Sequence, residues 1–202
     1  MTKSTERKIK NQYVIFFEKK DWSIFKDAAD YYFETAAKIM KKDILYGSKD
    51  LKLLRRNVIK RLFIGIGCEL LLKAIYLKNG FCINKHEQQH ERSNLFEIVN
   101  INKNDFKDDE TLPLNQLIEK LSTIENFGED KNIVEKGLKI SKVFRNKEGH
   151  SVVYWQDYDA QNYRDVEKSL ICIYKNSFNE ELQLTFSVGA GEKAIFIISK
   201  IG

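Results

Sequence analysis

Residues 62–77 read LFIGIGCELLLKAIYL. Apolar side chains occupy nearly every side of this stretch, and a helix that is apolar all round has to be covered by its neighbours. It is too short to span a bilayer, and it carries Glu69 and Lys73, which a lipid-facing helix excludes. It therefore reads as the central helix of a bundle, running from Asp50 to Lys78 and stopped by Asn79-Gly80. A single Pro in 202 residues favours long uninterrupted helices. With 43% hydrophobic and 31% charged residues, the chain can bury a core, which excludes a disordered tail.

The flanking segments fit around that helix. Trp22, Phe25, Ala29, Tyr32, Ala36 and Met40 recur three and four apart, which predicts a helix from about Asp21 to Tyr46 ended by Gly47. From Cys82 to Pro113 the composition turns polar, and DFKDDET at 105–111 reads as a solvated loop. Further helices are expected at Leu114 to Leu121, at Ile133 to Phe144, and on the stripe Tyr163, Val166, Leu170, Ile173 and Phe178. Then the period changes. Leu182, Leu184, Phe186 and Val188 alternate with polar residues, and GAGEK leads into AIFII, a hairpin pattern. The expected fold is all-α in one domain over 1–202, a helical bundle at 21–178 with a small C-terminal β-hairpin at 182–200. Three cysteines, Cys68, Cys82 and Cys172, have no CxxC spacing and read as reduced thiols. The charged opening MTKSTERKIK is unlike a signal peptide, so a cytoplasmic location is expected.

Two short motifs carry little. HEQQH at 86–90 matches the H-E-x-x-H of zinc hydrolases, but INK and ERSN around it offer nothing to bury such a helix, and no third ligand follows. It reads as a polar connector, with zinc hydrolysis a remote third reading; no metal or cofactor is expected. GAGEK has one residue between its glycines and Ala194 after the Lys, so it is a turn and not a phosphate loop. Glu69 carries more weight. A carboxylate inside IGIGCELLLKA needs a partner, either Lys73 one turn on or a site between helices that the acid reaches.

The segment VFRNKEGHSVVYW at 143–155 poses the functional question. Val134, Leu138 and Ser141 form a packed stripe, and Arg145 is its next step. Gly149 is placed to end the helix in a left-handed conformation, so a helix finishing near Lys147 would put His150 in the following loop, where it can converge with Arg145. Within a continuous helix the two would diverge by about 140°. Arg offers a permanent cation whose fork matches two phosphate oxygens, and His moves a proton near neutral pH. The cation keeps the imidazole from protonating too readily, and Asn146 adds an uncharged donor and acceptor. Such a set suits cleavage of an RNA phosphodiester by its own 2′-hydroxyl, with no metal required. An Arg near a helix C-terminus also serves simply to complement the helix dipole.

RNKEGH at 145–150 resembles the signature of the HEPN domains (higher eukaryotes and prokaryotes nucleotide-binding), in which an Arg, often followed by a polar residue, precedes a His by four to six places. GCELLLKAIYLKNG at 67–80 is similar to that family's second helix. The resemblance spans roughly Trp22 to Phe178 and leaves the hairpin aside. It implies an all-helical, metal-independent endoribonuclease of the toxin or phage-defence kind, with Arg145 and His150 catalytic and Asn146 supporting them. Glu69, Lys73 and Tyr154 are carried as further supporting residues. Each chain offers one His in the motif whereas the chemistry wants a base and an acid, so a homodimer with facing RNKEGH segments is expected, as in the family. RNA is the expected substrate, with an antitoxin or regulatory protein as a further partner and no membrane. One branch of the family has a Tyr two residues after the His; here that position is Val152, so its mode of regulation is not carried over. The alternative reading is a HEPN-like interaction module without catalysis.

Overall fold

Helix α1 spans Trp22–Lys38 and buries Ala29, Phe33, Ala36 and Ala37; of the predicted stripe Ala29 and Ala36 are buried, Trp22, Phe25 and Tyr32 are half-buried, and Met40 lies outside the described residues. The computed structural model describes residues 22–39, 49–91, 94–150, 160–186 and 195–202. The expected end of this helix at Tyr46 lies outside the described residues, although Ile39 N–H still donates to Thr35 O. Helix α2, Lys49–Lys78, is the central element. Ile64, Cys68, Leu71, Leu72, Ala74, Ile75 and Tyr76 are fully buried along it. Gly80, with φ 79°, ends the helix as Asn79-Gly80 predicts.

Helix α3 (Leu114–Ile124) opens behind Pro113; α4 (Lys131–His150) and α5 (Ala160–Ile173) complete the set of five α-helices among the described residues. Helix α5 runs on into a π turn at Tyr174–Phe178, closed by Asn179 in the left-handed conformation. Helix α2 packs against α1 on one side and α4 on another, and α4 packs against α5. Glycines make the closest approaches: a Cβ on Gly67 would meet Phe33 Cε1 at 2.6 Å, and one on Gly137 would meet Ser169 Cβ at 2.3 Å.

The predicted hairpin forms. Strands Glu180–Thr185 and Ile195–Lys200 pair antiparallel, Leu182 opposite Ile198 and Leu184 opposite Phe196. Leu182 and Leu184 of the first strand face the bundle. Two polar clusters fix the hairpin there. Lys60 Nζ donates to Phe186 O at 2.6 Å while Phe186 N–H donates to the Glu167 carboxylate at 2.5 Å. Lys26 pairs with Asp30 at 3.0 Å and with Glu180 at 2.8 Å, lies over the Tyr174 and Phe178 rings, and leaves Asp30 to accept from the Tyr174 hydroxyl.

A second small sheet departs from expectation. Phe106–Thr111, read from sequence as a solvated loop, is a strand paired antiparallel with Asn84–His86 across a bulge. Its acidic residues hide the pattern, because the pairing is held from the partner strand. Asn84 Nδ2 donates to Lys107 O, Leu112 N–H donates to Ile83 O, and Lys85 and Lys107 both pair with Glu110. Numbering the strands along the chain makes these β1 (Asn84–His86) and β2 (Phe106–Thr111), and the hairpin strands β3 and β4. Phe106 and Cys82 form a satellite core beneath the sheet.

Candidate active site

The site is built where α2 crosses α4. Val134, Leu138, Ser141 and Phe144 are buried on α4, and Arg145 follows at the edge of that face. Gly65 lets the helices close: a Cβ there would lie 2.5 Å from Arg145 Cβ and 2.8 Å from its Cα and N. One turn further along α2, Glu69 reaches across. Its Oε2 is 2.5 Å from Arg145 Nε, and its Oε1 accepts from Lys73 Nζ at 2.9 Å. The carboxylate thus makes the Lys73 pair that the sequence allowed and also bridges to α4.

Exposure grades the three charges. Glu69 and Lys73 retain 13% and 11% of their side-chain exposure, whereas Arg145 retains 37%. One anion therefore lies between two cations, and the cation on α4 is the one that solvent reaches. Arg145 makes no other ion pair among the described residues. Asn146 and Lys147, next on α4, are exposed. Beneath the pair, Ser141 Oγ donates to Gly137 O, and burial pushes the neighbouring Cys68 thiol up to about 12, so it stays protonated. Its part is packing.

The end of α4 corrects the sequence reading. The backbone stays helical through His150, with Gly149 inside the helix and not at a left-handed end. One glycine costs a helix only about 0.5–1 kcal/mol, and Asn146, Lys147 and Glu148 do not oppose continuation. His150 therefore sits about 140° around the helix from Arg145 at the backbone level, so within a single chain the helical path does not turn the two toward each other. Tyr154 and Val152 lie outside the described residues, as does GAGEK.

HEQQH has none of the geometry that a zinc hydrolase needs. His86 ends β1, stacked on Phe96 with centroids 5.2 Å apart, and its Nδ1 accepts from Gln88 N–H. His90 belongs to a 3-10 turn, Gln89–Glu91. No helix sets the two imidazoles on one face. Among the described residues no group of three or more His, Cys, Asp or Glu is placed to hold a metal ion, and no described helix is long and apolar enough to cross a membrane.

What sequence reasoning missed at the site is the Glu69–Arg145 contact, which joins residues far apart in the chain. The signal was present in part: an unexplained carboxylate in an apolar helix and an unexplained guanidinium on an apolar stripe. A comparison with protein-family models, curated proteins and solved structures gives no match.

Proposed function

We propose that this chain is a HEPN-like helical bundle that cleaves RNA without a metal, by attack of the 2′-hydroxyl on the adjacent phosphorus, as a toxin or phage-defence effector. One observation carries the reading most: Arg145 is held at Nε by Glu69 and keeps 37% of its side chain exposed. Glu69 fixes one edge of the guanidinium and leaves its terminal nitrogens for two phosphate oxygens. Lys73 offsets the carboxylate, so the cluster stays net positive toward an anionic substrate. A pre-aimed cation stabilises the negative charge that builds on the non-bridging phosphate oxygens, the larger share of such catalysis. His150 supplies proton transfer. Because α4 turns His150 away from its own Arg145, a second copy across a two-fold axis supplies the complement, the arrangement in which RNKEGH segments face each other.

A specific observation favours a second reading. An ion triad between two packed helices is also what a purely structural crossing would use, and α4 is helical through its last motif residue. A non-catalytic interaction module would need no more. A labelled single-stranded RNA incubated with the purified chain in EDTA separates the two. The enzyme reading expects cleavage that persists in chelator, leaves 2′,3′-cyclic phosphate ends, and spares DNA of the same sequence. No cleavage, or cleavage only with added Mg²⁺, leaves the interaction module as the better account.

A further inference from the structure

Helix α4 carries four lysines ahead of Arg145, and three of them have carboxylates. Lys131 and Lys139 pair with Glu135 at 4.0 and 3.4 Å, and Lys136 pairs with Asp165 at 2.8 Å. Lys142 alone of the four makes no ion pair among the described residues. No acid is within its reach along the helix, because the residues three and four places away are Leu138, Lys139, Arg145 and Asn146. Glu69, the carboxylate in the crossing, already holds Lys73 and Arg145. Lys142 is nevertheless half-buried, so its stem is held against the protein. Its ammonium stands among like charges, which costs a helix stability. A cation kept on those terms suits an anion that arrives from outside.

Its position is the open side of the site. Gly65 of α2 lies against Arg145 and Cys68 against Ser141, so the two helices run antiparallel and the Cys68–Ser141 side is the buried one. Around α4, Lys142 lies about 60° from Arg145, and Ser141 lies about 40° from it the other way. Around α2, Glu69, Leu62 and Ile66 lie about 40–100° from Gly65, on the side away from Cys68. Leu62 and Ile66 are half-buried, and Asn146 is exposed. The opening beside Arg145 is therefore a groove with an apolar wall on α2 and with Lys142 and Asn146 on α4. Helix α3 lies against both helices further along, where the Tyr76 hydroxyl donates to Leu117 O. Arg145 and Lys142 are surface neighbours, about 5–6 Å apart at Cβ, and their long side chains can each take one of two successive phosphates. We infer that Lys142 binds the phosphate next to the one on Arg145, as a positioning contact for single-stranded RNA. This rests on the ribonuclease reading for the role of Arg145, but the contact is measured without cleavage.

The experiment uses the full chain and a labelled single-stranded RNA methylated at every 2′-oxygen, which has no hydroxyl to cut itself with. Fluorescence anisotropy is recorded over a range of KCl for wild type, Lys142→Gln, Arg145→Gln, the double variant and Lys142→Arg, with circular dichroism as the fold control. Lys131→Gln removes the same charge from the same helix, about 16 Å away along its axis. Each single-strand phosphate contact contributes about 0.7 to the salt slope. Lys142→Gln and Arg145→Gln should therefore each make the slope shallower by about 0.7, and the double variant by about 1.4. Lys142→Arg should keep the wild-type slope, and Lys131→Gln should change it little. Should Lys142→Gln fail to fold, Lys142→Met, which keeps the stem, carries the same expectation. The contact is overturned by an unchanged slope in folded Lys142→Gln, by an equal fall in Lys131→Gln, or by wild type that does not bind the strand. A double variant no shallower than either single one would put both cations on one phosphate and overturn it too. Wild type that cuts unmodified RNA while Lys142→Gln leaves the slope unchanged keeps the enzyme and removes Lys142 from it. Wild type that shows the full pattern of slopes but never cuts refutes the enzyme and keeps the contact.

Discussion

Lys60 is an ammonium held where water barely reaches it. Burial is the larger reason its amine is pushed down to about 8; Arg56 acts the same way and Glu167 opposes both. In the unfolded chain the same amine titrates near the ordinary lysine value of 10.5. Below about pH 8 both states carry the proton and the folded state bears the cost of the buried charge. Between about 8 and 10 the unfolded chain keeps the proton that the folded one releases, so stability rises with pH across that window. Denaturant midpoints measured from pH 7.5 to 9.5 should climb for the wild type and stay flatter for Lys60→Met; parallel profiles would show that Lys60 does not set the trend. Other residue-scale features were partly legible. Glu69 stood out as a carboxylate in an apolar helix, but nothing local to it says that Arg145, on another helix, takes its second oxygen. Lys60 gave no signal in the sequence, because its partner is the carbonyl of Phe186.

Between elements, glycine sets the spacing. Gly65 faces the backbone of Arg145 with no room for a Cβ, so Gly65→Ala must part α2 from α4 at the site itself. Overpacking of this kind costs about 1–3 kcal/mol, and the shift would draw Arg145 away from Glu69. Urea unfolding should show that loss, and RNA cleavage should fall by more than stability alone explains; a variant as stable and active as wild type would mean that the helices are not so close. The helices themselves were readable because each buries a stripe of period 3.6, and α2 because it is apolar all round. The hairpin was readable because its alternation is clean. β2 was not, since Lys107 to Glu110 carry charges, and the buried apolar anchors among the described side chains, Phe106 and Leu112, stand at its start and just past its end. The end of α4 was misjudged for a different reason: Gly149 permits a helix to stop but does not compel it.

For the whole molecule, the divergence of Arg145 and His150 along α4 makes the proposed chemistry a property of two chains. Light scattering at micromolar concentration should give a dimer, and cleavage per chain should fall on dilution below the dissociation constant. A monomer that retains full activity would refute a shared site. The chain-wide charge was legible from composition.

The central claim is that Arg145 and His150 act on RNA, and single substitutions test it most directly. Arg145→Ala and His150→Ala are made in the full chain, and the rate of cutting a labelled RNA is compared with wild type, with circular dichroism run in parallel. Arg145 lies at the margin of the packed face and His150 at the end of α4, so the expected cost in stability is no more than about 1–2 kcal/mol. Loss of the proton-transfer group should slow cleavage by about 10²–10⁴, and loss of the phosphate-facing cation by about 10²–10³. Folded His150→Ala protein that cuts RNA as fast as wild type would contradict the account.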